Sequence, residues 1–167
     1  MAGTKLPDLE RLAWEGVVKL EVTGGIPTWE TSPGSRHQRM IDRIRPSIKP
    51  VSEGGMECGC AHLSDVYISF PDGSLKRPDI AIFCEEPPDQ DEALTMVPQA
   101  VIEVISPGYE YKDLELNPRF YLGQGVMDVV IVDPRSMEVT HYHAAEVASY
   151  RAPITLNLQC GCACAIP

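Results

Sequence analysis

The sequence predicts an α/β or α+β fold: a central mixed β-sheet flanked by a few helices, with extra antiparallel strands. Three observations predict it. Fifteen prolines and 13 glycines are scattered along the 167 residues, punctuation that favours many short elements. Residues 35–45 carry apolar side chains at helical spacing. Residues 127–132 are apolar apart from Asp128, as a strand buried on both faces should be. Length, 44% apolar residues and 23% charged residues fit a single domain, 1–167, with one core.

In chain order, residues 7–15 suit a short helix. Residues 17–22 and 26–30 flank Thr23-Gly24-Gly25, a hairpin signal. Ser32-Pro33-Gly34-Ser35 is a turn, with Ser35 placed to cap the helix that follows. That helix ends near Arg45, before Pro46. Met40, Ile41 and Ile44 form its inner stripe; Arg36, Arg39 and Arg43 share the outer face. Residues 65–70 and 77–84 read as two strands joined by Pro71-Asp72-Gly73-Ser74. Residues 85–97 are an acidic surface loop, 100–105 a strand, and a helix lies within 113–124. Residues 138–143 and about 147–164 are further strands. His141 and His143 share one face of the first of these with Val139; two histidines at that spacing can share a zinc, but no third ligand is evident, and an edge-strand surface explains them.

Lys and Arg total 14 against 24 Asp and Glu, a net charge of −10, which excludes a uniformly basic nucleic-acid binder. The positive charge gathers at Arg36, Arg39, Arg43, Arg45 and Lys49. This is either a solvated helix face or a local surface for phosphate. No apolar run approaches the ~20 residues of a membrane span, and the N-terminus lacks the apolar stretch of a secretory signal. A cytoplasmic protein is expected, with its six cysteines reduced. Cys58-Gly59-Cys60 and Cys160-Gly161-Cys162-Ala163-Cys164 look like metal clusters but lack the C-x-x-C spacing of most structural zinc sites; a cysteine-based metal protein is a third reading, which requires metal to be lost when Cys160 and Cys162 are replaced. A half-buried strand with Leu156, Leu158 and the three cysteines on one face explains the second run.

Two residues break the apolar pattern. Glu103 sits within Val101-Ile102-Glu103-Val104-Ile105, and Asp79 opens Asp79-Ile80-Ala81-Ile82-Phe83. Burying a carboxylate costs several kcal/mol unless it is paired or metal-bound. Two acids on core strands suit Mg²⁺, which takes oxygen ligands and one or two protein carboxylates. The structural alternative is that Asp79 caps a turn and Glu103 forms a core ion pair.

An ordered series of short motifs runs through residues 17–145: Glu21-x-x-x-Gly25, Ser32-Pro33 followed by His37, Arg77-Pro78-Asp79, Ile102-Glu103-Val104-Ile105-Ser106-Pro107, Asp113, Tyr121, Gly125-Val126 and Ile131-Val132-Asp133-Pro134. In this order and spacing the chain resembles the bacterial family described as putative restriction endonucleases, a branch of the PD-(D/E)XK nuclease superfamily. The resemblance implies a restriction-endonuclease-like core. It implies that Asp79 and Glu103 bind Mg²⁺ or Mn²⁺, which would activate water and neutralise charge on a scissile phosphate. Glu21 and His37 are then accessory candidates, as is Asp113; the alternatives are an exposed strand residue and a helix N-terminal side chain. The expected activity is metal-dependent cleavage of DNA by a homodimer, with Arg36, Arg39 and Arg43 as backbone contacts.

The sequence departs from that pattern at its lysine. The superfamily places one two residues after the second acid, where this chain has Ile105. The branch places one four residues after the aspartate, where it has Asn117, followed by Pro118. Asparagine carries no charge, and as a good N-cap it would start the helix late. Lys112 is the nearest substitute, with Lys76 and Arg119 as others; Arg119 cannot act as a base. The alternative function is therefore a catalytically degenerate nuclease fold that binds nucleic acid or protein.

Overall fold

The computed structural model describes residues 18–51, 57–144 and 146–167. The helix expected over residues 7–15, and Val17, lie outside the described residues. The first hairpin forms as expected: β1 (Val18–Thr23) pairs antiparallel with β2 (Ile26–Thr31). Gly24 and Gly25 at its tip have φ of 56° and 82°. Two successive positive φ values give the tight turn whose twist matches the strands. Helix α1 (Ser35–Ile44) buries His37, Met40, Ile41 and Ile44. Its N-cap is Gly34, and no side chain caps it. Ser35 is already helical, so the expected serine cap is not made.

Residues 65–84 depart from the expected pair of long strands. The Pro71–Ser74 turn forms, with Gly73 at φ 85° and the Ser74 N–H donating to Asp72 Oδ1. It joins only a short hairpin, β5 (Ile68–Ser69) with β6 (Leu75–Lys76), while β3 (Lys49–Pro50) and β4 (Ala61–Ser64) precede them. Pro78 has no N–H to donate to a ladder. Beyond it, β7 (Ile80–Phe83) enters a different sheet, between β4 and β8 (Ala100–Val104). The loop 85–97 is a surface connection, anchored by buried Leu94 against Ile68.

A π-helical turn (Lys112–Leu116) runs directly into α2 (Asn117–Gly123). Asn117 is therefore inside a continuous helix, not the cap of a late one. Pro118 cannot donate to the carbonyl of Leu114, and the Tyr142 hydroxyl donates to it instead at 3.0 Å.

The central sheet also holds β9 (Asp128–Val132), β10 (Glu138–His143) and β11 (Glu146–Arg151), in the order β11-β10-β9-β8-β7-β4. Its β8–β9 pair is parallel and its other pairs antiparallel, so the expected mixed sheet is present. β1, β2, β5 and β6 form a second sheet; β12 (Ile154–Asn157), β13 (Cys162–Ile166) and β3 form a third. Alternation along the central strands divides the core. Ile80, Ile82, Ile102, Val104, Val130 and Val132 pack with α1 and the C-terminal segment. Ala81, Phe83, Val101, Val129 and Ile131 pack with Phe70 and Tyr121.

Three further expectations are corrected. Leu156, Leu158, Cys160, Cys162 and Cys164 are all buried, but they do not form one strand. The chain turns at Gly161 (φ 92°), where the Leu158 N–H donates to Cys162 O at 2.7 Å. β10 is covered on both sides, so His141 is buried and not on an edge; its Nε2 lies 2.8 Å from Asp128 Oδ1. The cysteines are not all reduced. Cys58–Cys84 and Cys60–Cys162 are disulfides, and buried Cys160 and Cys164 are free. Partners 26 and 102 residues apart meet only through the folding of β7 and β13 around the 58–60 loop, which spacing in sequence does not reveal. No helix among the described residues is long and apolar enough to cross a membrane.

Candidate active site

Asp79 and Glu103 meet where β7 and β8 begin to separate. Asp79 immediately precedes β7, and Glu103 lies one residue from the end of β8. Each carboxylate is held by a backbone N–H of the other strand. Asp79 N–H donates to Glu103 Oε2 at 3.1 Å, and Val104 N–H donates to Asp79 Oδ2 at 2.7 Å. The Tyr121 hydroxyl, from α2, donates to Glu103 Oε1 at 2.8 Å. His37 Nε2, from α1, lies 3.0 Å from Asp79 Oδ2. Both acids are buried, as is His37.

Their environments drive the two carboxyls apart. Burial raises Asp79, but the His37 hydrogen bond, the charges of Lys19 and His37, and the Val104 N–H outweigh it and hold the group below the usual carboxylate range. Burial raises Glu103 too, and the Asp79 charge adds to it, so its carboxyl sits well above the usual range. Burial, then the Glu103 charge, likewise pushes the Tyr121 phenol well up, so it remains a donor.

A second cluster adjoins the first. Glu21, on β1, is 1% exposed, so the exposed-strand alternative is excluded. Its Oε2 lies 2.8 Å from Lys76 Nζ and 3.0 Å from Lys112 Nζ, and its Oε1 lies 3.7 Å from Lys19 Nζ. The Arg77 N–H also donates to Oε1, at 2.9 Å. Burial pushes Glu21 up, but Lys19, Lys76 and Lys112 hold it far below the carboxylate range. Lys76 also donates to Asn117 Oδ1 at 2.9 Å, and Asn117 Nδ2 donates to Asp113 Oδ1 at 3.3 Å. Burial pushes the Asp113 carboxyl up to about 6.

The substitutes for the lysine named from sequence are partnered by other groups. Lys112 is paired with Glu21 and Glu30, and burial lowers its pKa. Lys76 is enclosed by Glu21 and Asn117, beneath the rings of Phe120 and Tyr121. Arg119 is 84% exposed and lies 3.8 Å from Glu115. The amine that sequence reasoning missed is Lys19. Burial works against its charge, yet Glu21, Asp79, Glu103 and Asp65 hold its pKa above the ordinary value. It lines a cleft of about 120 Å³ together with Ser32, His37, Asp65, Arg77, Asp79 and Ser106. The signal for it was present: Lys19 and Glu21 share strand parity and hence one face. A larger hollow of about 710 Å³ faces the acidic 86–94 loop instead.

The arginines of α1 are exposed. Arg36, Arg39 and Arg43 line a concavity of about 600 Å³ with Pro107, Pro134 and Arg135. His37 lines both this concavity and the acid cleft, so the two adjoin.

The family described as Uma2, putative restriction endonuclease, matches residues 6–159. The chain belongs to this family. The resemblance carried by the Uma2 motifs is thus borne out, and the acids of those motifs are the ones paired here. In structure the chain is similar to a putative nuclease belonging to DUF820 from Anabaena variabilis ATCC 29413. The TM-score is 0.60 at 17% identity, covering 82% of this chain and 79% of that one. At that identity the likeness is one of fold, and it bears out the expected mixed-sheet, nuclease-type architecture of this Uma2 member. No curated protein matches the chain.

Proposed function

We propose that this protein is a metal-dependent DNA endonuclease built on one domain, 1–167. One observation carries the reading: two buried carboxylates on adjacent core strands, Asp79 and Glu103, share the electrostatic influence of a half-buried lysine, Lys19. The donor set fits Mg²⁺ or Mn²⁺. It offers hard oxygens, and Asp79 Oδ1 takes no hydrogen bond among the described residues. Asp79 and Glu103 would hold the ion, which when bound supplies water activation and charge neutralisation at a phosphate.

The remaining roles belong to the chain. His37 and the Val104 N–H fix the Asp79 carboxylate, and Tyr121 fixes Glu103. Lys19 takes the place of the motif lysine by presenting positive charge in the cleft, where charge builds up on the phosphate. Lys76, Lys112, Asn117 and Asp113 keep Glu21 and the helix in register. Arg36, Arg39 and Arg43 would contact the DNA backbone beside the cleft. The protein is taken to be cytoplasmic and homodimeric. The β11 edge, unpaired among the described residues and carrying exposed Val147 and Tyr150, is the surface offered for pairing, and light scattering tests it.

The test is cleavage of supercoiled plasmid and single-stranded DNA with Mg²⁺ or Mn²⁺. Activity should be abolished by chelator and absent from Asp79→Ala; activity equal in wild type and Asp79→Ala rejects the proposal. A second reading, a binding module without cleavage, is favoured by Ile105 and Asn117 standing where lysines are expected. Calorimetry separates the two: the enzyme reading needs Mn²⁺ binding that disappears in Glu103→Gln, the binding module none.

A further inference from the structure

Away from the acid cleft, five of the six cysteines meet in one place. Cys58-Gly59-Cys60 precedes β4, Cys84 follows β7, and Cys160-Gly161-Cys162 turns into β13. Cys58 is bonded to Cys84, and Cys60 to Cys162. The two disulfides lie against each other, with Cys58 Sγ 3.4 Å from Cys162 Sγ. The Cys160 thiol joins them: the sulfurs of Cys58, Cys160 and Cys162 all lie within 4.8 Å of one another. All three residues are buried.

The backbone is shaped to this convergence. Gly59 N–H donates to Cys84 O at 2.9 Å, and a Cβ on Gly59 would stand 3.0 Å from that oxygen. Gly161 has φ 92°, and Cys60 itself has φ 53°, a conformation uncommon for a residue with a side chain. Two C-x-C turns from distant parts of the chain thus face one point. A tetrahedral zinc ion with Zn–S bonds of about 2.3 Å holds its sulfurs about 3.8 Å apart. The Cys58–Cys162 spacing of 3.4 Å and the 4.8 Å limit on the spacings to Cys160 are compatible with that value.

We propose that in its thiol form this cluster is a site for a soft divalent cation, Zn²⁺. Cys58, Cys160 and Cys162 supply three thiolates, and the fourth comes from Cys60 or Cys84, the thiols that the disulfides release. Each disulfide takes two electrons and two protons from a dithiol reductant, which closes to its own cyclic disulfide. The four ligand thiols lose their protons to solvent as the ion binds. The soft sulfur set separates this site from the oxygen donors of Asp79 and Glu103. In either redox state the 58–60 loop is tied to the start of β13, and the end of β7 is tied to them as well where Cys84 is the fourth ligand. Neither C-x-C run has the spacing of a zinc site by itself; the fold joins the two, with partners as far apart as Cys60 and Cys162, 102 residues.

The test uses the full chain, reduced with a dithiol, exchanged into reductant-free anaerobic buffer and titrated with Zn²⁺ or Co²⁺. About one ion per chain should bind, and cobalt should give sulfur-to-metal charge-transfer bands and the intense visible bands of tetrahedral thiolate coordination. Asp79→Ala and Cys164→Ser should retain these, and Cys160→Ser/Cys162→Ser should lose them. Cys60→Ser and Cys84→Ser identify the fourth ligand, since only one should weaken binding. Absence of thiolate bands in the reduced wild type overturns the proposal even where a cysteine variant fails to fold. So does binding that survives Cys160→Ser/Cys162→Ser or disappears in Asp79→Ala.

Discussion

Lys76 Nζ lies 2.8 Å from Glu21 Oε2 with both side chains nearly sealed from solvent, 2% and 1% exposed. Removing one member of a buried pair leaves an uncompensated charge, which costs about 3–5 kcal/mol. Glu21 is the shared counter-charge of Lys19, Lys76 and Lys112, so Glu21→Gln should lower the unfolding free energy by about that amount. Lys76→Met leaves Glu21 two other lysines and should cost less, about 1–3 kcal/mol. The double variant should be less destabilised than the two singles added together. Urea denaturation of the three proteins measures this, and additive losses would contradict a coupled pair.

Lys19 and Lys112 make opposing predictions for activity. If Lys19 supplies positive charge in the cleft, Lys19→Met should lower metal-dependent cleavage by about 100-fold or more, and Lys19→Arg should keep part of it. Lys112→Met, whose amine pairs with Glu21 and Glu30, should reduce cleavage far less. Steady-state rates with Mn²⁺ decide between them; the reverse ranking would return the role to Lys112.

Asp113 predicts a pH dependence of stability. Its folded pKa, about 6, lies above the unfolded value of about 3.9, so the native state binds this proton more tightly. The contribution is full below about pH 4 and disappears as pH rises through about 6. Asp113→Asn should therefore gain on wild type across that window, by up to about 3 kcal/mol. Glu21 and Asp79, held below the usual range, act in the opposite direction and cancel in the difference. Unfolding curves between pH 4 and 7 measure it; a difference that does not change with pH would refute the assignment.

Substituting Arg36, Arg39 and Arg43 together by Gln removes exposed charge from α1 without touching its buried face. DNA binding should weaken about equally for all sequences, and the slope of log affinity against log salt should fall by about 2–3. Fluorescence anisotropy at several salt concentrations, in chelator to prevent cleavage, reports both.

Local patterns determined much of this protein. The Thr23-Gly24-Gly25 turn, the stripe of α1, the strand of residues 128–132 and the two acids within apolar strands all follow from φ preferences and side-chain periodicity, which act over a few residues. The ordered Uma2 motifs added the family. What the tertiary structure decided lies between distant residues. Residues 65–70 and 77–84 read as two strands joined by the Pro71–Ser74 turn, and only the pairing of β7 with β4 and β8 shows that the chain changes sheet after Pro78. Asn117 read as a helix start until Tyr142 was seen serving the carbonyl that Pro118 leaves bare. The partners of Glu21, and the meeting of Cys58 with Cys162, depend on long-range closure. Burial and charge pairing are properties of the folded neighbourhood, and a linear pattern carries no record of which side chain arrives from 50 or 100 positions away.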